Sequence, residues 1–209
     1  MSESKTILER WGITMRELTQ LVDENPSLRG IMLGYVAELK LTQLLAASAE
    51  ISESAKHDDH DRAGKGDRVV RYKGRQFLIE SKSLQTNSVS RQGDEWTGQA
   101  QVDASDRRTV ILPNGRKLET TLLLIGEFDI LAVNCFAFEN KWRWLFCKNA
   151  DLPRSTYRKY TKAQRQHLLA SLVTVTWPPR PPFTENIFEV LDELVNERAA
   201  TGGSRSAPP

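Results

Sequence analysis

The sequence predicts a mixed α/β protein in which helices flank a mixed β-sheet, and three observations lead there. Helical periodicity dominates residues 14–48. Strand-like runs broken by short turn signals fill much of 67–83 and 109–147. An amphipathic segment at 184–198 returns to the helical period. A helical stripe and a sheet face must each bury an apolar side, and helices packed on a sheet satisfy both.

Taken in order, Thr14 followed three residues later by Glu17 forms a capping-box pattern. It opens a helix over 15–24 whose stripe is Leu18, Leu21 and Val22. Asn25-Pro26 then interrupts the chain, with Asn25 suited to cap the next helix and Pro26 to its first position. That helix, roughly 27–48, carries Ile31, Tyr35, Leu39, Leu41, Leu44 and Leu45. The polar stretch 52–66 reads as a mobile loop. DRVVRYKGRQFLIESKS reads as two strands around Lys73-Gly74. Residues 83–108 are polar, and the expectation around Gln92–Gln101 is irregular structure leading to a short helix. TVILPNGRKLETTLLL is a second hairpin, turning at Pro113-Asn114-Gly115. FDILAVNCFAF has the near-continuous apolar character of a strand buried on both faces, and residues 141–147 form the next strand. Trp142 and Trp144 alternate with Arg143 and are expected to pack in the core. A basic helix over roughly 160–171, a short strand VTVTW, an extended PPRPPF connector and the helix 184–198 complete the chain. By domain, residues 1–27 are a helical extension, 28–150 the core, 151–200 a basic helical part of the same domain, and 201–209 a disordered tail.

Composition narrows the class. Hydrophobic residues at 39% and charged residues at 27% describe an ordinary soluble protein. No apolar run approaches the roughly 20 residues that cross a membrane, and MSESKTILER lacks the apolar region of a signal peptide. Cys135 and Cys147 lie in apolar segments and read as buried, reduced thiols of a cytoplasmic protein. The net charge of +2 decides little, but its distribution does more. Asp61 to Arg91 holds eight Lys or Arg against three acids, and Leu152 to Thr184 holds six against none. Clustered bases in a near-neutral chain are one footprint of a polyanion binder, and also of a solvated basic surface.

The chemistry concentrates in Gly66-Asp67, a twelve-residue spacer, then Glu80-Ser81-Lys82. Alternation along a strand puts Glu80 and Lys82 on one face. If Lys73-Gly74 is a two-residue turn, Tyr72 faces Arg75 and, counting outward, Asp67 faces Glu80. Opposite residues on one face hold their Cβ atoms about 4.5–5.5 Å apart. Two carboxylates that close repel unless positive charge lies between them, and a hard cation such as Mg2+ supplies it. Lys82 is then placed to orient a water and to stabilise charge on a phosphate. Glu38 adds a carboxylate on a largely apolar helical stripe, beside Ala37, Leu41 and Leu45. Such a group needs a salt bridge or a metal.

Gly66-Asp67 with Glu80-Ser81-Lys82, preceded by the helix GYVAELKL, resembles the PD-(D/E)xK nuclease superfamily, the restriction-endonuclease-like fold, over roughly residues 28–147. Gly66 stands where the superfamily's name has proline, and the insertion at 83–120 obscures the second core helix. The resemblance implies a core of a helix, a three-stranded antiparallel portion, a helix and a further strand. It implies Mg2+-dependent hydrolysis of DNA phosphodiester bonds, with Mn2+ as a substitute, in restriction, defence or mobile-element biology. In this sequence Asp67 and Glu80 would hold the ion with the Ser81 carbonyl, Lys82 would position the attacking water, and Glu38 would help hold a second ion. The partner implied is DNA. A homodimer is expected where two strands are cut, and a partner subunit stays open. Rival readings are a non-catalytic DNA-binding module with the same fold, a junction nuclease, and a protein-contact module using the Trp-rich strand.

Other residues fit a plain surface role as well as a functional one. His57-Asp58-Asp59-His60-Asp61 lacks regular zinc spacing and reads as a solvated loop. Candidate nucleic-acid contacts are Lys65 and Arg68 beside Asp67, Ser83 and Gln85 after Lys82, and Arg154, Arg158 and Lys159 in the basic stretch with Lys162 and Arg165. Gln99 and Gln101 follow Lys82 at a distance where nucleases of this superfamily place helix residues near the scissile phosphate. Asp129, before the buried strand, either neutralises an arginine or faces the site.

Overall fold

The computed structural model describes residues 5–56 and 67–200. The chain divides into two compact units, Met1–Lys40 and Leu41–Pro209, with the boundary inside a helix. The first unit is helical. α1 (Ile7–Trp11) was not foreseen, although Thr6 and Glu9 form the same kind of capping box as Thr14 and Glu17. α2 (Met15–Glu24) has the expected bounds, and α3 (Pro26–Ala46) starts on Pro26 as expected and runs across the unit boundary. Neither α1 nor α2 contains a buried residue.

The second unit has the mixed α/β architecture read from the sequence. Its main sheet has the order β1 (Ile51–Lys56), β2 (Arg68–Tyr72), β3 (Arg75–Ser83), then β8 (Ile130–Asn134) and β9 (Trp144–Lys148). β1, β2 and β3 are antiparallel, β3 and β8 are parallel, and β8 and β9 are antiparallel. All five residues of β8 are buried, as expected for the strand between two neighbours with both faces covered. The long crossover that a parallel pair requires contains strands. β4 (Ser90–Gln92) and β5 (Glu95–Gln101) join β10 (Leu172–Trp177) in a second sheet of order β10-β5-β4. β6 (Asp103–Ile111) and β7 (Lys117–Leu122) form the expected second hairpin.

Four expectations are corrected. Residues 51–56 form a strand where a loop was expected. ISESAK has little apolar content of its own and is held as an edge strand by its pairing with β2. The remainder of that loop, with the His57–Asp61 cluster, Lys65 and Gly66, lies outside the described residues. Gln92–Gln101 forms no helix. Its period is two, with Trp96, Gly98 and Ala100 turned inward, and the small side chains disguise the pattern. A Cβ on Gly98 would meet Phe138 at 3.1 Å, so the glycine is set by close packing. The basic helix shrinks to α4 (Lys162–Arg165), because Leu168 and Leu169 leave the helix to enter the core and bridge Leu124 and Arg154. The Trp-rich strand begins only at Trp144, which is buried, while Trp142 stacks on Phe136 with ring centroids 4.4 Å apart.

The core is built from Leu131, Val133, Leu145, Phe138, Val173 and Val175 and their neighbours. α5 (Ile187–Ala200) buries Ile187, Val190, Leu191 and Leu194. It also reaches the hairpin of β2 and β3. Asp192 accepts a hydrogen bond from Tyr72 Oη at 2.8 Å and pairs with Lys73 at 2.5 Å. Arg198 donates to the Gln76 carbonyl at 2.8 Å, stands 4.5 Å from the Phe77 ring and pairs with Asp129. No helix among the described residues is long and apolar enough to cross a membrane.

Candidate active site

The site is set by the turn at Lys73-Gly74. Both residues have positive φ, 47° and 74°, which gives the two-residue turn whose twist matches a hairpin. Lysine is an unusual first residue there, and its ammonium is held by Asp192. The register follows: Tyr72 faces Arg75 and Arg68 faces Ile79. The regular pairing ends there: Asp67 N donates to the Ile79 carbonyl at 2.9 Å, one residue out of step with that register, and the charge of Asp67 reaches Glu80. Ser81 N then donates to Asp67 Oδ2 at 2.7 Å, tying that carboxylate to β3. Among the described residues Asp67 Oδ1 accepts no hydrogen bond.

Glu80 is 8% exposed, and Lys82 Nζ lies 2.7 Å from its Oε1. Burial raises the Glu80 carboxyl above its ordinary value of 4.5; Lys82 opposes that, while the charges of Asp67 and Glu127 add to it. For Lys82, burial works to lower the ammonium. The charge and hydrogen bond of Glu80, with Asp67 and Asp103, outweigh it and carry Lys82 above 10.5. The lysine is therefore held as a cation at neutral pH.

Three contributors were missed in the sequence. Glu127 pairs with Arg108 through both guanidinium nitrogens, at 2.6 Å for Nη2, and accepts from Leu124 N at 2.7 Å. The charge of Glu80 reaches Arg108, and that of Asp103 reaches Lys82. These three residues lie 20 or more positions from Lys82 in a crossover without helical or strand-pairing cues to the site. The one available signal was Glu127 in the turn that precedes the buried strand. Asp129, left open in the sequence, neutralises Arg198 and accepts from Leu78 N at 2.8 Å.

The remaining candidates are dispersed. Glu38 is half-buried on α3, in the first unit. Arg68 is buried, with its guanidinium donating to Ser54 Oγ at 3.0 Å and Thr42 Oγ1 at 2.6 Å, so it ties β2 to its neighbours. Ser83 is exposed at the end of β3 and accepts from Asn134 Nδ2 at 3.2 Å. Gln85 donates to Gln101 Oε1 at 2.8 Å, and Gln99 and Gln101 lie on β5 instead of a helix. Arg154 donates to the Leu152 carbonyl at 2.6 Å and the Ala150 carbonyl at 3.1 Å, while Arg158 and Lys159 are exposed.

The donor set selects among metals. Among the described residues no three His, Cys, Asp or Glu side chains gather at one point. Asp67 and Glu80 contribute two carboxylates without nitrogen or sulfur. That suits Mg2+, which keeps several waters and is commonly held by one or two carboxylates, better than zinc.

No family model matches the sequence, and the search of curated proteins returns no match. Among solved structures, the chain is similar to a bacterial homing endonuclease, I-Ssp6803I, at 14% identity and a TM-score of 0.39, over 82% of this chain and 96% of that one.

Proposed function

We propose that this protein is a metal-dependent DNA endonuclease that hydrolyses phosphodiester bonds. The observation supporting this reading is the gathering of three groups at one stretch of β3: Asp67 is bonded to Ser81 N, and Lys82 pairs with the neighbouring Glu80. Asp67, Glu80 and the Ser81 carbonyl would hold Mg2+, with Mn2+ as its substitute. When bound, the ion supplies Lewis-acid polarisation and neutralises charge on the phosphate.

The chain's own residues do the remainder. Ser81 N holds Asp67 Oδ2, and Oδ1 would serve as the oxygen offered to the ion. Lys82, kept cationic by Glu80, serves as a hydrogen-bond donor and not as the base. It orients the attacking water and offers positive charge where the phosphate oxygens become more negative. Exposed Arg158 and Lys159 supply phosphate contacts at distance from the reacting atoms. Restriction, defence or mobile-element biology is the setting that the sequence resemblance suggests, in a cytoplasmic protein, as a homodimer or with a partner subunit.

The test is plasmid cleavage with Mg2+, with Mn2+ and with EDTA, comparing wild type with Glu80→Ala, Lys82→Ala and Asp67→Ala. Wild type is expected to nick or cut only with metal. Each variant is expected to lose about 100-fold or more of that rate. Glu38→Ala in the same series tests the second-ion role. Folded wild-type protein that binds DNA and cuts none in any metal would leave the binding-module reading in place of this one.

A further inference from the structure

The sheet of β4, β5 and β10 has two unlike faces. Inward it turns Gly98, Ala100, Val173 and Val175, all buried, onto Phe138 and the core. Outward, alternation and register bring together Gln92, Thr97, Gln99, Gln101, Thr174 and Thr176: Thr97 faces Thr176, Gln99 faces Thr174, and Gln92 lies on the adjacent edge strand. Glu95 lies on the same face, opposite Gln92, and is paired with Arg180, while the rest of the set is uncharged. Among the described residues the side chains of Gln92, Thr97, Gln99 and Thr174 make no hydrogen bond. A solvated strand face usually carries Lys and Glu, so an amide and hydroxyl surface with unspent donors and acceptors asks for a ligand of matching chemistry.

We infer that this face reads base edges in the major groove of duplex DNA, an inference that rests on the proposed nuclease reading. Glutamine amides match the paired donor and acceptor of adenine, and threonine hydroxyls serve either role. The Arg180 guanidinium neutralises Glu95, so the face carries no unpaired carboxylate to repel the phosphates of the groove walls. Leu172, 45% exposed opposite Gln101, offers an apolar contact suited to a thymine methyl. Dimensions agree. Thr97 to Gln101 spans about 14 Å at about 3.4 Å per residue, close to four base pairs. Three strands about 4.8 Å apart span about 10 Å, within a groove about 12 Å wide.

The face is also fastened to the proposed catalytic strand. Leu84, two residues beyond Lys82, bridges Ala100, and Gln85 N donates to the Gln99 carbonyl at 2.8 Å. Ser88 Oγ accepts from Gln99 N at 2.8 Å. Lys82 and the start of this attachment are therefore about 7 Å apart along β3. Gln101 is pre-oriented by its amide contact with Gln85. Recognition and cleavage would share one rigid element, which fixes the distance between the bases read and the bond cut.

The experiment is selection of bound duplexes from a randomised pool in EDTA, with wild type, the double variant Gln99→Ala/Gln101→Ala, and Gln101→Glu, each checked for an unchanged melting temperature. Wild type is expected to enrich a preferred run of about four base pairs. The double variant is expected to lose about 10- to 100-fold in the ratio of preferred to random-sequence affinity. Gln101→Glu is expected to move the preference at one position toward cytosine, whose amino group donates. Wild type that binds and cuts DNA with no base preference, or variants with the wild-type preference, would overturn this inference and leave the nuclease reading intact. Wild type that binds no DNA would overturn both.

Discussion

Glu80 and Asp129 are both buried carboxylates beside a cation in the same sheet, yet their surroundings differ. Asp129 accepts from Leu78 N through Oδ2 and pairs with Arg198 through Oδ1, so both oxygens are used. Among the described residues Glu80 pairs with Lys82 through Oε1, and the charge of a second carboxylate, Asp67, bears on it. Burial that is fully compensated marks a structural ion pair. Burial that is partly compensated, with like charge alongside, leaves a group whose environment opposes its ionised form. That is how a site waiting for positive charge differs from one that already has it.

The largest expected effect that separates the two falls on Asp129. Asp129→Ala strands Arg198 and the Leu78 amide in a buried place, and is expected to cost about 3 kcal/mol in urea unfolding. Glu80→Gln should cost less than that without metal, because the amide oxygen can still accept from Lys82 while a carboxylate that burial disfavours is removed. Its pH signature has a definite sign. A carboxyl raised in the folded state stabilises fully below its ordinary value of 4.5, and that stabilisation is lost as pH rises through the folded value. Wild type in EDTA should therefore lose stability relative to Glu80→Gln as pH rises above 4.5, and added Mg2+ should stabilise wild type alone. Parallel melting curves for the two proteins across that range would remove the distinction drawn between Glu80 and Asp129.

A smaller effect tests the register of β2 and β3. Gly74 has φ of 74° and open space where a Cβ would stand, so Gly74→Ala should cost about 1 kcal/mol from backbone conformation alone. The proposed cleavage should fall further than stability, since the turn sets the register of β2 and β3 that carries the candidate site. The smallest effect is on the two thiols. Burial pushes Cys135 and Cys147 up to about 12, so neither should react with iodoacetamide at pH 8 until the protein unfolds.

What was legible in the sequence was local or periodic. The Thr14–Glu17 box, the Pro26 start and the buried apolar run of β8 each follow from neighbouring residues. The pairing of β2 with β3, from Tyr72–Arg75 to Arg68–Ile79, followed from counting outward from one turn. What could not be read depends on distant partners. β1 forms because β2 offers it an edge, and β5 hides its alternation behind Gly98 and Ala100, whose smallness is explained only by Phe138. Arg68 has the sequence of a surface base beside an active site, and only Thr42 and Ser54 reveal it as a buried tie. The Arg108–Glu127 pair comes from two strands' distance away in the chain and had no motif to announce it.

The last helix holds the first hairpin. Asp192 grips Tyr72 and Lys73 at the turn, and Arg198 grips Gln76, Phe77 and Asp129 behind it. A chain growing from its N-terminus presents Asp67, Glu80 and Lys82 long before residues 187–200 are made. Until then, the turn between β2 and β3 has no clamp. Synthesis thus sets a timer: a ribosome-held chain stalled before α5 is expected to lack the proposed cleavage, and competence should arrive once α5 is made.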